Sequence, residues 1–334
     1  MIAGADLSRW LADGDAQQRT QARMDGFARE LRLRPLMAEL ERDVMALDPR
    51  TTDGLLDIAR RFIGRTAELE GVMRDIISAC RSDPFFSPPF YPVINELFTG
   101  FLLCHHPDIS IAIGVTSLDS LAVKKSSRRG AGSINFTGYT TLMRFIDAGE
   151  ATLSLWKAPP IGQNFSGTGS GECRLVGRRR ILDGDEILVD GREESFVIEH
   201  ASRDMVYFQA MVRAEAAPLS AEYDSETRRF VGASSTDEAS SRVQMMATLL
   251  REMDREDALP VLEESLQSPL FYARWHIMRE MLALDAEAAL PALRRMAAED
   301  PHLEVREAAG QTLQLFFPDE AAAPAEQGAE QCRA

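Results

Sequence analysis

At Pro107 the hydrophobic period of this chain changes from that of a helix to that of a strand, and near Thr236 it changes back. Such a pattern predicts a multidomain α+β protein with helices, then a β domain, then helices again. Before the first change, Leu55, Ile58, Phe62, Leu69, Val72, Ile76 and Ile77 recur mostly every three, four or seven residues, which stacks them on one helix face. Thr52 or Asp53 is suited to cap the exposed amides at its start. An earlier helix over 17–47 carries Phe27, Leu31, Leu36, Leu40, Val44 and Leu47. Pro35 predicts a kink or split in it, because proline removes a donor and clashes with the preceding turn. The stretch from Asp83 to Pro92 holds four prolines and four aromatics and reads as a connector, followed by a short helix over 93–104.

Beyond Pro107, Ile109, Ile111, Ile113 and Val115 alternate with Ser110, Ala112 and Gly114, the pattern of a half-buried strand. Further strands are predicted over 140–145, 151–156, 174–182, 186–189, 195–200 and 205–212. Turn sequences such as Asp183-Gly184-Asp185 and Asp190-Gly191 separate them. About seven short strands without amphipathic crossovers predict a central antiparallel β-sandwich or jelly-roll barrel rather than a parallel sheet.

After Thr236 an internal repeat appears. Ala258-Leu259-Pro260-Val261-Leu262 returns 31 positions later as Ala289-Leu290-Pro291-Ala292-Leu293. Pro269 and Pro301 each precede a helix, with Arg274 and Arg306 at the same offset. A period of this size built from paired helices predicts α-solenoid hairpins. The expected division is a helical domain over 1–106, a β domain over 107–234, helical repeats over 235–317, and a disordered acidic tail over 318–334.

The segment 286–316, with Asp300-Pro301 and Val305-Arg306-Glu307-Ala308-Ala309, resembles a HEAT repeat, in which an acidic turn joins two helices and the second opens with a Val-Arg pair. The unit before it departs from that pattern, since Ala273-Arg274-Trp275-His276 replaces the small residues. The resemblance implies a surface that presents itself to a protein partner. Leu182 to Val189, with Phe196-Val197-Ile198-Glu199-His200, resembles the strand–turn–strand step of cupin-like β-barrels. Metal-binding cupins carry a His-x-His pair with a downstream Glu and a further His. Here His200 is the single histidine between Pro107 and Ser235, so the resemblance is to the barrel and not to its metal chemistry.

Charge narrows the classes of partner. The net charge is −15, from 52 acidic and 37 basic residues, which opposes nucleic-acid and anionic-lipid binding. Basic runs at 124–129 and at Arg178-Arg179-Arg180 read as solvated loops or strand ends. No basic leader followed by an apolar core opens the chain, and no window approaches the roughly 20 apolar residues of a membrane span. Four scattered cysteines (Cys80, Cys104, Cys173, Cys332) fit reduced thiols, and a cytoplasmic location is expected.

Catalytic signals are sparse. Cys104-His105-His106-Pro107-Asp108 is the one cluster of metal-type side chains, but adjacent histidines on an extended chain point apart; a helix C-terminus favouring protonatable groups accounts for them. The glycine-rich run Gly162–Gly171 lacks the lysine and following helix of a phosphate loop and reads as a hairpin loop. No metal and no cofactor are expected. Arg274, Trp275 and His276 stand out as binding candidates on a repeat helix, since Trp and Arg are enriched in interface hot spots, although Trp275 packing between repeats weighs against this. The expected function is a non-enzymatic adaptor or regulatory protein that binds a protein through its repeats, with a β domain that either holds another partner or senses a small ligand. The alternative is a metal-independent enzyme using the barrel lumen, with His200 as acid or base beside Glu199 or Asp204.

Overall fold

The capping and apolar patterns of the first hundred residues become five helices. The computed structural model describes residues 4–127, 132–160, 162 and 171–318. Its N-terminal helices are α1 (Gly4–Ala12), α2 (Gly14–Leu33), α3 (Pro35–Ala46), α4 (Thr52–Ile63) and α5 (Thr66–Ser82). Pro35 divides α2 from α3, as its missing donor requires. Thr51, one residue before the expected caps, accepts the N–H of Gly54 and starts α4.

The strands are β1 (Tyr91–Ile94), β2 (Phe98–His105), β3 (Ile109–Thr116), β4 (Ser133–Phe136), β5 (Thr140–Asp147), β6 (Thr152–Lys157), β7 (Arg174–Arg180), β8 (Glu186–Asp190), β9 (Glu194–His200), β10 (Met205–Val212), β11 (Leu219–Asp224) and β12 (Phe230–Ser235), with α6 (Leu118–Ser127) after β3. The helix expected over 93–104 is instead the hairpin β1–β2. Asn95 makes the turn, its side-chain oxygen accepting the N–H groups of Leu97 and Phe98. Seven of the eight residues of β2 then pair along β3, a long-range partner that a local apolar run does not reveal.

Strand order is β1-β2-β3-β10-β5-β8 in a six-stranded sheet, with three-stranded sheets β7-β6-β9 and β12-β11-β4. The inner face of the large sheet, including Ala112, Met143, Phe145 and Tyr207, packs on Leu153, Phe196 and Ile198 of the small one. Its outer face, including Ile109, Ile111, Leu142, Phe208 and Ala210, packs on Leu55, Phe62, Ile63, Leu69 and Val72 of α4 and α5. One core therefore joins the N-terminal helices to the sheet, and the residue-106 boundary does not separate two cores. By packing, residues 4–160 and 171–232 form one unit and a second begins at Ala233.

Gly100 and Gly114 face each other across β2 and β3. A Cβ on Gly100 would stand 2.1 Å from the Ile113 carbonyl oxygen and 2.7 Å from Gly114 Cα, both backbone atoms that cannot swing aside. Gly100→Ala is expected to lower the stability of the first unit by about 1–3 kcal/mol. An unchanged urea midpoint would contradict this close approach.

The second unit consists of α7 (Glu238–Glu252), a 3₁₀ turn at Glu256–Ala258, α8 (Leu259–Ser265), α9 (Phe271–Leu284), α10 (Ala286–Glu299) and α11 (Leu303–Phe316). Leu262, Ile277, Met278, Met281, Leu293, Met296 and Val305 form its core. The expected tail over 318–334 lies outside the described residues, apart from Pro318. No helix among the described residues is long and apolar enough to cross a membrane.

Candidate functional site

Three consecutive residues singled out in the sequence, Arg274, Trp275 and His276, turn to three different places. Arg274, on α9, is buried against the turn between α10 and α11 rather than displayed. Its Nε and Nη2 donate to the Asp300 carboxylate at 2.8 and 2.7 Å, and Nη1 donates to the carbonyls of Ser268 and Pro269. Asp300 also accepts the His302 N–H at 2.8 Å. Burial pushes the Asp300 carboxyl upward, but the Arg274 and His302 hydrogen bonds outweigh it and hold it below the usual carboxylate range. The His302 ring stacks on Phe271 with centroids 3.9 Å apart. Trp275 is half-buried against the repeat core.

His276 lies in a polar seam between α7 and α9. Thr248 donates its hydroxyl proton to Glu280 at 2.9 Å, and Arg251 Nε donates to the other carboxylate oxygen. His276 Nε2 is 3.0 Å from the Thr248 hydroxyl and 3.2 Å from the Gln244 carbonyl. With the Thr248 proton committed and a carbonyl able only to accept, Nε2 must carry the hydrogen. Arg274 and His276 are thus both engaged with partners inside the repeat unit.

The exposed apolar surface is elsewhere. Asp237 caps α7 through the Ser240 N–H, and Ala247 turns into the repeat core. Met245, Met246, Leu249 and Met253 fall on the opposite flank, 71, 57, 51 and 54% exposed. Their spacing is legible in the sequence, but spacing alone does not distinguish a core stripe from an exposed one. A helix that opens an array ordinarily turns a polar face outward.

In the first unit, β4, β6 and β9 border a cavity of about 710 Å³ lined by Trp156, Phe196, Ser154, Asn135, Glu199 and Glu222, among others. Trp156 Nε1 donates to the buried Ser154 hydroxyl at 3.0 Å, which fixes the indole against the wall. Glu199 accepts from Arg178 at 2.7 Å. The cavity therefore offers two aromatic faces, hydroxyls, an amide and an acidic rim. Among its described lining residues there is no histidine, cysteine or lysine. His200 is exposed at the end of β9 and does not line the cavity, so the side chains expected to converge on it as acid or base are not assembled.

Other candidates are likewise placed. His105 ends β2 and His106 follows it, in a strand–turn rather than at a helix C-terminus; His106 Nδ1 accepts the Asp108 N–H at 3.2 Å. Burial first, and then the Glu41 charge, push the Cys104 thiol up to about 11, which leaves it protonated at neutral pH. Among the described residues no three His, Cys, Asp or Glu side chains are grouped to hold a metal ion. Arg178 and Arg179 pair with Glu199 and Asp185, while the side chains of 124–129 lie outside the described residues, as does 163–170 of the glycine-rich run. Cys80, Cys104 and Cys173 are free thiols.

No curated protein sequence matches the chain. Among solved structures, the chain is similar to a cupin domain from Bordetella pertussis Tohama I (10% identity, 36% of this chain and 99% of that one, TM-score 0.21). It is also similar to ectoine synthase from P. lautus (10% identity, 44% and 85%, TM-score 0.21). A third is a cupin-superfamily sugar phosphate isomerase from Silicibacter pomeroyi DSS-3 (7% identity, 45% and 88%, TM-score 0.23). The helical segment that carries α7 and its apolar flank is the part for which a family model matches: residues 233–314 are similar to HEAT repeats.

Proposed function

We propose that this chain is a non-enzymatic adaptor or regulatory protein of the cytoplasm, which holds a protein partner on the flank of α7 and a small ligand in the β cavity. The apolar flank of Met245, Met246, Leu249 and Met253 carries this reading. A flexible thioether surface at the outer face of a terminal repeat gains by being covered, and methionines adapt to a partner's shape. The repeat core behind it is complete without those side chains, so they are free for a partner. The cavity supports the second half: its aromatic faces and fixed polar groups suit a small, neutral or cationic ligand with a flat apolar face.

The test is affinity capture from the native cell with the full chain and with its Met245→Glu/Leu249→Glu variant as baits. Both positions are exposed, so the variant is expected to keep its stability to within about 0.5 kcal/mol. Loss of two central apolar anchors is expected to weaken the captured partner's binding by about 100-fold or more. A partner retained equally by both baits would remove the α7 flank from the proposal.

A further inference from the structure

The helical layer of the first unit does not cover the whole outer face of the large sheet. Phe208 and Ile113 are buried in the core shared with α4 and α5, but one step along the strands Val206 is only half-buried and Ile146 is 46% exposed. Val206 pairs with Val115 of β3, and Ile146 lies on β5, so an apolar sheet end continues past the edge of the core. Facing it across an open groove of about 680 Å³ is one side of α5 carrying Met73 and Ile77, with Ile77 51% exposed. That volume falls within the roughly 300–1,000 Å³ of small-molecule sites.

The charges on the rim are asymmetric. Arg74, Ser78 and Arg81 recur at i, i+4 and i+7 on the groove side of α5, with Ile77 between them. Neither arginine pairs with a carboxylate among the described residues, whereas Arg34, Arg60 and Arg65 of the same helical layer all do. Glu70 and Thr66 line the other end. In a chain of net charge −15, two unpaired guanidinium groups beside exposed isoleucines match a ligand with one anionic head and an apolar tail. Glu70 repels an anion from its own end, which directs the head to Arg74, Ser78 and Arg81 and the tail along Met73, Ile77, Ile146 and Val206.

We propose that this groove binds a free long-chain monocarboxylate of the fatty-acid class, with its carboxylate on Arg74 and Arg81 and its hydrocarbon tail against Ile77, Ile146 and Val206. The groove shares no lining residue with the β cavity, and the proposal does not depend on the adaptor reading.

Isothermal titration of the full chain with dodecanoate, below its micelle concentration, is expected to show saturable one-to-one binding. Arg74→Glu/Arg81→Glu is expected to weaken it about tenfold or more. Ile77→Glu is expected to do the same, and because the residue is exposed its thermal unfolding serves as the check that the fold is intact. Dodecanol is expected to bind more weakly than dodecanoate, and acetate not at all. Met245→Glu/Leu249→Glu is expected to bind dodecanoate like the native chain; loss of binding there would move the ligand to the repeats and overturn the proposal. Absence of saturable binding, or binding indifferent to both groove variants, would also overturn it. So would attachment to phosphatidylglycerol vesicles without binding of free dodecanoate, which would assign the groove to a membrane surface. Binding confined to a chain ending at Pro318 would assign the groove to residues 319–334, with the same consequence.

Discussion

Replacing Arg274 with alanine is expected to lower the stability of the repeat unit by about 3–5 kcal/mol, because it leaves the Asp300 carboxylate buried without its counter-charge. The loss also frees the carbonyls of Ser268 and Pro269, which Arg274 satisfies at the start of α9. Removing both charges together, as in Arg274→Met/Asp300→Leu, is expected to recover most of the deficit, since no unpaired charge then remains. The dependence on pH has a definite sign. In the native chain the Asp300 carboxyl is held below its ordinary value, so its contribution is fully present above the ordinary carboxylate range and is lost as pH falls through the depressed pKa. In Arg274→Ala the same carboxyl is buried without a cation and its pKa rises. The variant's deficit is then largest near neutral pH and shrinks on acidification. Denaturation followed by helix content and by the fluorescence of the neighbouring Trp275 measures both. A deficit that is small, or that grows as pH falls, would show that the ion pair does not hold the turn.

Phe62→Ala is expected to destabilise the first unit by about 3–5 kcal/mol, the usual cost of emptying a buried phenylalanine site. Phe62 is 4% exposed on α4 and belongs to the core that includes Ile111, Leu142 and Phe208 of the large sheet. The informative part is cooperativity. Because helices and strands share this core, the far-ultraviolet signals of both are expected to shift to lower denaturant together, in one transition of unaltered steepness. Helices that melt first, leaving the sheet in place, would mean that the N-terminal segment is a separate domain.

Much of the local structure was legible in the residues. Period-two alternation located β3, β5, β6, β7, β8, β9 and β10 to within a few positions, and the 31-residue recurrence located the paired helices of the repeats. The hairpin β1–β2 was not legible, because Leu97 to Cys104 is a short apolar run whose state depends on whether a strand lies beside it. The same holds for β4, β11 and β12, each no more than six residues long. The surroundings of the site candidates were not legible for a related reason. Arg274 and His276 look prominent in sequence because Arg, Trp and His are chemically conspicuous, but burial against Asp300 and Glu280 turns that conspicuousness inward. The flank of α7 and the groove beside α5 are made of ordinary methionines and isoleucines that no spacing rule separates from core residues.

The sequence by itself determined the succession of helical, β and helical segments, the change of period at Pro107 and near Thr236, the repeat, and the acidic charge balance, all of which are properties of neighbouring residues along one chain. Tertiary structure alone decided that α4 and α5 share a core with the sheet, that Arg274 faces Asp300, and that Met245, Ile77 and Ile146 remain open to solvent. Periodicity marks a side chain as able to leave water. Whether it does so depends on which distant surface arrives opposite it, and the amount of apolar area that surface covers settles the matter.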